Sequence, residues 1–373
     1  MASRFHKVPV LVLATASCLA TDPDAVVAPD TRSTVLVTPS VAQVSVGDSM
    51  ELDVKVWNGG AYRQPVARVW WSSSDTSIAR VDSDGVVRAR RPGTSLVTAV
   101  TADSIGHSVV TIAPAVLVGA GDIADCTSTN DEATAALLGA FAGTVFVAGD
   151  NAYEVGSSDN YAQCYDPSWG KYKNRTRPAP GNHEYLTPRA SGYYHYFGSA
   201  AGDSLLGYYS YDLASWHIVV LNSVADARAG SAQEQWLRAD LAAHPAACTL
   251  AYWHYPRFSS GLHGNSPEME AAWEALYEAG AEVVISGHDH DYERFAPQTP
   301  SGFPDPARGI REFVVGTGGK SQRAWGYVVP NSEVRSNTTF GVLALRLYAN
   351  RYEWTFVPTQ PGGFRDSGAA TCH

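Results

Sequence analysis

The chain has 373 residues, of which 45% are hydrophobic and 17% are charged. That length accommodates two domains, and that composition excludes an intrinsically disordered chain. The formal net charge of −10 argues against nucleic acid as a general partner, because there is no basic stripe to neutralise a phosphate backbone. A small phosphorylated substrate is not excluded, because bound metal ions would dominate the local electric field.

The first 18 residues predict an export signal. Arg4 and Lys7 make a basic start, and residues 8–16 are apolar but too few to span a bilayer. The remaining sequence predicts no transmembrane helix. Residues 19–33, rich in Asp, Pro, Ala and Thr, predict a flexible tether. We therefore expect an exported protein of a bacterium.

Two cleavage outcomes stay open for this signal. Ala-Thr-Ala at 14–16 fits ordinary secretion. Ala-Ser-Cys at 16–18 resembles a bacterial lipoprotein box, in which Cys18 would become the lipidated first residue, although Thr15 stands where that box usually has an aliphatic side chain. We favour lipidation slightly, because a lone cysteine directly after the apolar stretch has no other evident role. The protein is thus expected to be secreted or lipid-anchored at the cell surface.

The cysteine count agrees with export, because an even set remains once Cys18 is removed. The remaining cysteines allow three pairings. We favour bonds between Cys126 and Cys164 and between Cys248 and Cys372, the second of which would fix the carboxyl terminus. The alternative, a set of soft metal ligands, is disfavoured because the spacing is unlike that of a zinc ribbon.

Residues 34–114 predict an all-β domain. Short apolar runs recur along this segment, separated by turn signals such as Val-Gly-Asp at 46–48 and Ser-Asp-Gly at 83–85. Strands at this spacing predict a small β-sandwich. The segment has no cysteine, which excludes an antibody-type disulfide, so Trp70 or Trp71 must supply core volume. The predicted runs are 35–37, 44–46, 52–56, 69–71, 86–88 and 96–100.

The stretch from Trp71 to Val87, followed by Pro-Gly-Thr at 92–94, resembles the bacterial group 2 immunoglobulin-like domain. The resemblance covers nearly the whole of residues 34–114. It implies a spacer or a surface-interaction module and no catalysis. We favour a spacer, with contact to a cell surface as the alternative.

Residues 115–373 predict an α/β domain, because apolar strands alternate there with helical patterns. Ser231 is predicted to cap the amino end of one helix. The domain has no glycine-rich phosphate loop of the Walker or dinucleotide type. We predict strands at 115–120, 144–148, 216–221, 249–253, 283–286, 311–315, 342–347 and 352–357, and helices at 131–141, 231–243 and 268–278.

Five short polar blocks stand at or near the ends of apolar runs in this domain, where open α/β sheets place ligands. Their carboxylate, amide, phenol and imidazole groups suit Fe(III), Mn(II) and Zn(II), and suffice for two ions that share one carboxylate. Such a pair of ions can displace a group at phosphorus. One Gly-Asp alone is more often a turn, but the ordered set predicts a site. The blocks are Gly-Asp at 121–122, Gly-Asp-Asn-Ala-Tyr at 149–153, Gly-Asn-His-Glu at 181–184, Trp-His at 253–254 and Gly-His-Asp-His at 287–290.

These blocks resemble the calcineurin-like metallophosphoesterase superfamily, and within it the purple acid phosphatases. Asp-Asn-Ala-Tyr at 150–153 and Gly-His-Asp-His-Asp-Tyr-Glu-Arg at 287–294 carry the finer resemblance. Many superfamily members use Asp-x-His in the first block, whereas Ala124 stands at that histidine position here. The resemblance covers about residues 115–373 and implies an α/β/β/α sandwich after the immunoglobulin-like domain.

The resemblance also implies a ligand set and a mechanism. The first ion would be Fe(III), the second a divalent ion (Zn, Mn or Fe), and a metal-bound hydroxide would attack phosphorus in line. The implied ligands are Asp122, Tyr153 and His290 for the first ion, Asn182, His254 and His288 for the second, and Asp150 as the bridge.

Two further histidines receive catalytic roles from the resemblance. His183 would contact the phosphate. His263 stands where the plant enzymes begin a histidine pair that binds substrate and protonates the leaving group, but Gly264 breaks the pair. The general acid is therefore either His263 or His183. The residues expected to orient metal ligands from behind are Glu184, Asp289, Tyr292 and Arg294.

The complete ligand set favours an exported phosphatase that hydrolyses phosphate monoesters. A phosphodiesterase or nucleotidase on the same scaffold remains the alternative, because fold does not determine substrate. A non-enzymatic surface protein is less favoured, because none of the expected ligands is lost. Arg257 and Arg323 are candidates for substrate contact that the sequence leaves unassigned.

Overall fold

The computed structural model describes residues 34–58, 60–66, 68–102 and 104–373. The predicted export signal, the tether and the lipidation candidate Cys18 lie outside these residues. Among the residues described, no helix combines the length and the apolar character needed to cross a membrane.

The amino-terminal segment is all-β, and its strands pair into small sheets. Alternate side chains such as Val37, Val97 and Val110 are buried in one shared core. Trp71 packs against this core whereas Trp70 is 52% exposed, so Trp71 supplies the aromatic volume. The strands are β1 Val35–Thr38, β2 Val41–Ser45, β3 Ser49–Glu51, β4 Asp53–Asn58, β5 Ala61–Arg63, β6 Trp70–Ser73, β7 Ala79–Val81, β8 Val86–Ala89, β9 Gly93–Val100 and β10 Ile105–Ala113. They pair in the orders β1-β4-β5, β2-β10-β9-β6 and β3-β8-β7.

The segment that follows alternates strands with helices. Its strands are β11 Ala115–Ala120, β12 Thr144–Ala148, β13 Thr176–Ala179, β14 Tyr209–Leu213, β15 Trp216–Val220, β16 Cys248–Tyr252, β17 Val283–Ser286, β18 Tyr292–Phe295, β19 Arg311–Val315, β20 Ser332–Ser336, β21 Gly341–Leu347, β22 Arg351–Pro358 and β23 Asp366–Thr371. Its α-helices are α1 Asn130–Leu138, α2 Ser158–Asn160, α3 Ser191–Phe197, α4 Ala232–Ala243 and α5 Glu270–Glu278. A π-helical turn spans Tyr161–Tyr165, and 3-10 turns span Trp169–Arg175, Glu184–Leu186, Pro188–Ala190, Gly198–Ala201 and Pro267–Met269.

These strands form two mixed sheets. The six-stranded sheet has the order β13-β12-β11-β21-β22-β23, and the seven-stranded sheet has the order β14-β15-β16-β17-β19-β18-β20. Strands β11, β12 and β13 run parallel in the first sheet, as do β15, β16, β17 and β19 in the second. Parallel strands are covered on both faces, which explains the nearly continuous apolar sequences of β11, β12 and β17.

The strand β15 shows how the layers pack. Ile218 belongs to the same core as Leu117 of the six-stranded sheet. Its neighbour Val219 points to the other face and packs with Leu237 of α4 and Trp273 of α5. Since successive side chains of a strand face opposite ways, one core lies between the sheets and the other between a sheet and its helices. The predicted α/β/β/α sandwich with a preceding all-β domain is confirmed.

Two disulfide bonds link distant parts of this segment. Cys126, after β11, is bonded to Cys164, and Cys248 of β16 is bonded to Cys372, which follows β23. The second bond joins the end of the chain to the seven-stranded sheet, although β23 itself belongs to the six-stranded sheet.

Candidate metal centre

The predicted ligands reach one place from both sheets. Asp122, Asp150 and Asn182 follow the parallel strands β11, β12 and β13, whereas His254 and His288 follow β16 and β17. Carboxyl ends of parallel strands lie at a common edge, which is where open sheets bind ligands. The loops after both sets of strands therefore converge.

Three of these ligand positions have a left-handed backbone, which is unusual outside glycine. The angle φ is 59° at Asp122, 48° at Asp150 and 71° at His288. Each such position costs roughly 1–3 kcal/mol and is retained mostly where function requires it. Two of these positions are in direct contact, because Oδ2 of Asp122 accepts from the backbone N–H of His288 at 2.8 Å.

Glycines in the same blocks leave room for the carboxylates. A Cβ atom at Gly181 would lie 2.2 Å from Oδ1 of Asp150, and one at Gly287 would lie 2.6 Å from Oδ2 of Asp122. Those distances are shorter than van der Waals contact, so any larger residue would displace a predicted ligand. Gly181 and Gly287 thus have a packing role, because they leave room for the carboxylates of Asp150 and Asp122.

One half of the cluster contains Asp122, Tyr153 and His290. The phenol oxygen of Tyr153 lies 2.8 Å from Oδ1 of Asp122, 3.0 Å from Oδ2 of Asp150 and 3.3 Å from Nε2 of His290. Nε2 of His290 lies 3.4 Å from Oδ1 of Asp122. Each of these side chains belongs to a residue no more than 2% exposed. The single phenol hydrogen cannot satisfy two buried carboxylates, so this donor set suits a cation.

The other half contains Asn182, His254 and His288. Nε2 of His254 lies 3.1 Å from Oδ1 of Asn182 and 3.3 Å from Oδ2 of Asp150. Donor atoms of Asp150, His254 and His288 lie within 4.8 Å of one another, so small side-chain movements would let one ion contact all three. Because Oδ2 of Asp150 approaches donors in both halves, Asp150 is positioned to bridge two ions.

Main-chain carbonyls orient two of the imidazoles. Nδ1 of His254 lies 2.9 Å from the carbonyl oxygen of Ala148, and Nδ1 of His290 lies 2.7 Å from that of Ser321. Each Nδ1–H donates to its carbonyl, which leaves the lone pair of Nε2 directed into the cluster. Metal-binding histidines commonly have this arrangement.

Burial and neighbouring charge shift the pKa values within the cluster. Burial lowers the pKa of His254, but the negative charge of Asp150 outweighs it and raises that pKa to about 9. Burial and the charges of His254 and His263 lower the pKa of His288 to about 3. Burial, reinforced by Asp122 and Asp150, raises the pKa of the Tyr153 phenol well above its usual value. A bound cation would oppose these shifts at His254 and Tyr153, because metals select deprotonated ligands.

Glu184 holds two ligand loops together from behind. Its carboxylate accepts hydrogen bonds from the backbone N–H of Asn151 at 2.9 Å and of Gly181 at 2.8 Å, and from the hydroxyl of Tyr161 at 3.2 Å. These donors belong to the loops after β12 and β13 and to the neighbouring π-helical turn. Burial and the nearby Asp150 raise the pKa of Glu184. The structure thus gives Glu184 the supporting position expected for it.

Asp289 supports His263 at the mouth of the cluster. Oδ1 of Asp289 accepts from the backbone N–H of His263 at 2.9 Å and lies 3.0 Å from Nδ1 of its ring. The ring stacks on that of His288 with centroids 4.0 Å apart, and Nη1 of Arg323 lies 2.7 Å from Nε2. With its side chain 31% exposed, His263 is in reach of both a predicted ligand and solvent.

His183 lies beside the other half of the cluster. Its backbone N–H donates to Oδ1 of Asp150 at 2.9 Å, and its ring packs edge-on against that of Tyr153 with centroids 4.5 Å apart. Its Nδ1–H donates a hydrogen bond to the carbonyl oxygen of Glu154, and its Nε2 is 3.8 Å from Oδ2 of Asp150. The two candidates for proton transfer, His183 and His263, thus face the cluster from different sides.

Tyr292 and Arg294 do not orient metal ligands, which corrects the expectation from the sequence. The same correction applies to Asp289, whose carboxylate holds His263 and not a predicted ligand. The hydroxyl of Tyr292 donates to Oδ2 of Asp366 at 2.7 Å, Nε of Arg294 donates to the same oxygen at 2.6 Å, and Arg294 also pairs with Glu333. Nε1 of Trp354 donates to Asp366 as well, at 3.1 Å. Both residues belong to β18, which carries them away from the cluster, and they join the two sheets through β23.

Apart from Arg323, the sequence identified no site residue in the segment at 319–329, which has neither helix nor strand and runs past the cluster. Nζ of Lys320 lies 4.6 Å from the ring centre of Tyr153 and 2.9 Å from Oδ2 of Asp125. Ser321 supplies the carbonyl for His290, and Arg323 contacts His263. A main-chain carbonyl in irregular structure leaves no sequence signal. Arg257, the other arginine left unassigned, is buried and pairs with Glu270.

Family models match both parts of the chain. Residues 111–292 match the model of the calcineurin-like phosphoesterases, and residues 33–112 match that of the bacterial immunoglobulin-like domain (group 2).

Plant proteins are among the relatives by sequence. Purple acid phosphatase 21 of Arabidopsis thaliana is 31% identical over 37% of this chain, and purple acid phosphatase 22 of the same plant is 36% identical over 31%. The matched part spans only 37% and 27% of the length of these relatives, respectively.

Solved structures share the fold at low identity. A purple acid phosphatase from yellow lupin (Lupinus luteus) seeds has a TM-score of 0.57 and 14% identity, and the match covers 88% of this chain and 73% of that one. GAP50, described as the anchor in the inner membrane complex of Plasmodium, has a TM-score of 0.55 and 13% identity over 70% of this chain and 90% of its own. A dimetal phosphatase from Danio rerio has a TM-score of 0.50 and 14% identity over 70% of this chain and 100% of its own.

The ordered ligand blocks, the two-sheet sandwich and these matches agree. Residues 111–292 therefore form a calcineurin-like phosphoesterase domain that is similar to purple acid phosphatases, and it follows a bacterial group 2 immunoglobulin-like domain.

Proposed function

We propose that the protein is a dinuclear-metal phosphatase that hydrolyses phosphate monoesters. The observation that carries the proposal is the position of Asp150, whose Oδ2 lies 3.0 Å from the Tyr153 phenol in one half of the cluster and 3.3 Å from His254 in the other. A carboxylate that reaches two sets of donors is what a two-ion centre for phosphoryl chemistry requires.

The donors divide into two sets of different hardness. One set combines a carboxylate, a phenol and an imidazole, which suits Fe(III), whereas the other combines an amide and two imidazoles, which suits a divalent ion such as Zn, Mn or Fe. When bound, the ions would polarise the phosphoryl group and supply a nucleophile near neutral pH. The sets are Asp122, Tyr153 and His290 for the first ion and Asn182, His254 and His288 for the second, with Asp150 shared.

Residues at the entrance of the metal cluster would bind the charged phosphate group and transfer a proton to the leaving group. Arg323 would turn its guanidinium from His263 to the phosphate oxygens, as a fork of donors that matches their geometry. Asp289 holds Nδ1 of His263, so Nε2 of that ring would be left to protonate the departing alcohol. His183 would contact the phosphate from the Tyr153 side.

A phosphodiesterase or nucleotidase remains the second candidate, and one observation favours it. A groove of about 520 Å³ runs from His288 and Tyr255 along residues 223–228 and past Glu268. A second ester group or a nucleoside would find room there, beside Arg228 and Ser266. Fold alone does not decide between these substrates.

We further infer that the protein is exported and that the immunoglobulin-like domain acts as a spacer. The support for export is the pair of disulfides, which persist mainly in oxidising compartments, together with the apolar stretch at 8–16. A lipid anchor at Cys18 is part of the same proposal. Mass spectrometry of the mature protein tests it, because lipidation adds acyl chains to an amino-terminal Cys18.

The proposal is tested by hydrolysis of an aryl phosphate monoester and the matching diester, with metal content counted in the same sample. We expect two ions per chain and a monoester preference of about a hundredfold, which is nearly 3 kcal/mol of transition-state binding. Asp150→Ala should lose both metal and turnover, whereas His195→Ala, at an exposed position on α3, should keep both. A diester preference would move the function to the second candidate, and turnover by a metal-free protein would overturn the metal centre itself.

A further inference from the structure

A second cluster of histidine and carboxylate side chains lies at the opposite end of the seven-stranded sheet. His217 is near the amino end of β15, Asp212 belongs to the paired strand β14, Asp240 belongs to α4, and His244 directly follows that helix. The proposed phosphatase centre lies instead at the carboxyl ends of the parallel strands. The two clusters therefore share no residue and no loop.

The donor atoms of this cluster converge. Nε2 of His217 lies 2.8 Å from Oδ2 of Asp240, and Nδ1 of His244 lies 3.3 Å from Oδ1 of the same carboxylate. One donor atom from each of the three residues lies within 4.8 Å of the other two. The two imidazole rings are nearly parallel, with centroids 4.8 Å apart. Nδ1 of His244 also donates to the main-chain carbonyl oxygen of Asp240 at 2.9 Å. Both rings therefore contact Asp240, and the ring of His244 must turn to present a nitrogen lone pair to an ion.

The side chains behind these donors are fixed. Nδ1 of His217 lies 3.0 Å from Oδ1 of Asp212, which leaves Nε2 as the nitrogen that faces Asp240. The hydroxyl of Ser210 donates to Oδ1 of Asp240 at 2.8 Å. A carboxylate on the far nitrogen of a histidine is the usual support of a metal-binding imidazole.

Burial is graded across the cluster in a way that allows an ion to enter. The side chain of His217 is 2% exposed and that of Asp240 is 8% exposed, whereas that of His244 is 48% exposed. Asp212 and Ser210 contact the buried pair, whose Nε2 to Oδ2 distance of 2.8 Å must lengthen to admit an ion. The exposed imidazole at the end of α4 can turn aside to give the ion access. The site is thus largely formed before any ion binds.

We propose that His217, Asp240 and His244 bind a divalent transition-metal ion of the zinc class, with water at the remaining position. Two imidazoles and one carboxylate are a known zinc ligand set with an open fourth position. Nitrogen donors of this kind favour zinc, nickel or copper over magnesium or calcium. The ion would join the β14–β15 hairpin to the end of α4 and so serves stability, far from the phosphatase centre.

Zinc stoichiometry after equilibrium dialysis of the full chain tests the proposal. We expect the wild-type protein to hold one more zinc ion per chain than His244→Ala, with equal phosphatase rates in both. His195→Ala, another exposed histidine, is the matched control and should keep the wild-type count. Equal zinc in wild type and His244→Ala would overturn the proposal and leave the cluster as a set of ion pairs.

Asp212→Asn separates metal support from simple folding. The Asp212 side chain is 68% exposed, so the metal-free variant should unfold at the wild-type temperature. Loss of the support on His217 should weaken zinc binding about 10–100-fold. Unchanged zinc affinity would contradict the assigned role of Asp212. Both tests compare zinc binding between wild type and a variant that leaves the phosphatase centre intact. Their outcome therefore does not depend on whether that centre also binds metal.

Discussion

The residues with a left-handed backbone show what the metal centre requires of single positions. Asp122, Asp150 and His288 each have a strained left-handed backbone. Gly181 and Gly287 leave the space that the carboxylates of Asp150 and Asp122 occupy. In the metal-free protein little interaction energy offsets the backbone strain of these turns, because the carboxylates face one another and a neutral phenol. We therefore expect metal binding to contribute a large part of the stability of this region.

Replacing Tyr153 by Phe tests the phenol as an iron ligand. The Fe(III)-loaded wild-type protein should be violet, because charge transfer from a tyrosinate to iron absorbs visible light, and Tyr153→Phe should be colourless. Tyr165→Phe is the matched control, since Tyr165 is also buried but its hydroxyl has no hydrogen-bond partner among the described residues. A violet Tyr153→Phe protein with full iron content would refute the ligand assignment.

Leaving-group dependence identifies the general acid. His263→Asn should lower kcat/KM for an alkyl phosphate by about a hundredfold or more, in the range of general acid catalysis, and for nitrophenyl phosphate much less. Nitrophenolate is a stable anion and can leave without being protonated, whereas an alkoxide is a poor leaving group unless an acid protonates it.

His183→Asn is the comparison, because a residue that only contacts the phosphate should affect both substrates equally. Equal losses in His263→Asn combined with unequal losses in His183→Asn would transfer the acid role to His183. Metal content is measured in both variants, because both residues adjoin predicted ligands.

Sequence reasoning at this scale succeeded where a residue type has few structural uses. Closely spaced histidines after a strand and carboxylates after Gly pointed to one place, and the structure brings their donors together. It failed for Tyr292 and Arg294, because the run from 287 to 294 changes at Tyr292 from a ligand loop to the strand β18. The amino-acid sequence contains no signal for the boundary between this loop and β18.

At the scale of elements, the predicted strands that matched were continuous apolar runs. β11, β12 and β17 begin and end as expected, and Ser231 caps α4 through a hydrogen bond to the backbone N–H of Glu234. The strands not foreseen include β10, β13 and β23. They contain Gly, Pro or mostly small polar residues, and pairing with neighbouring strands, rather than local propensity, determines their conformation.

The two disulfides should contribute unequally to stability. Cys248 and Cys372 are 124 residues apart and Cys126 and Cys164 are 38 apart, so the first bond closes the longer loop in the unfolded chain. Removing either should cost roughly 2–5 kcal/mol, and the loop-entropy model predicts a loss about 1 kcal/mol larger for the longer loop.

Urea unfolding of the paired Cys→Ser variants measures this difference. The two variants serve as controls for each other, because each retains one disulfide. An equal or larger loss from the shorter loop would contradict loop closure as the main effect and point to native packing around Cys164, which is buried.

At the scale of the whole molecule, the metal-free protein should lose stability as pH rises. The folded-state pKa of His254 is raised from 6.5 to about 9, so its contribution is complete below pH 6.5 and is lost as pH passes through 9. The loss reaches at most about 3 kcal/mol at 1.36 kcal/mol per pKa unit. Burial raises the pKa of Glu312 to about 8, which adds to the loss in the same direction.

Chemical unfolding of the metal-free protein at several pH values measures the effect. His254→Gln isolates the His254 contribution, because the difference between wild type and variant should shrink between pH 6.5 and 9. A difference that grows over this range would contradict the assigned protonation. With zinc bound, wild-type stability should instead rise over the same range, because the proton no longer competes for Nε2.

Two sheets that face each other bring distant segments of the chain to one metal centre. From the sequence, the meeting of these segments could be predicted only through the resemblance to a known family. Local patterns place Asp122 and His288 at strand ends, but their separation of 166 residues is bridged by the sandwich, where the backbone N–H of His288 donates to Oδ2 of Asp122 at 2.8 Å. The carbonyl of Ser321 and the contact of Arg323 with His263 depend on the same long-range packing.

Anomalous X-ray diffraction from crystals of the metal-loaded protein examines the dinuclear centre directly. We expect two peaks about 3.5–4 Å apart, the spacing of two-metal sites, on either side of the Asp150 carboxylate. One peak should lie among Asp122, Tyr153 and His290, and the other among Asn182, His254 and His288. A single peak, or peaks that leave Asp150 uncoordinated, would contradict the bridged centre and with it the proposed mechanism.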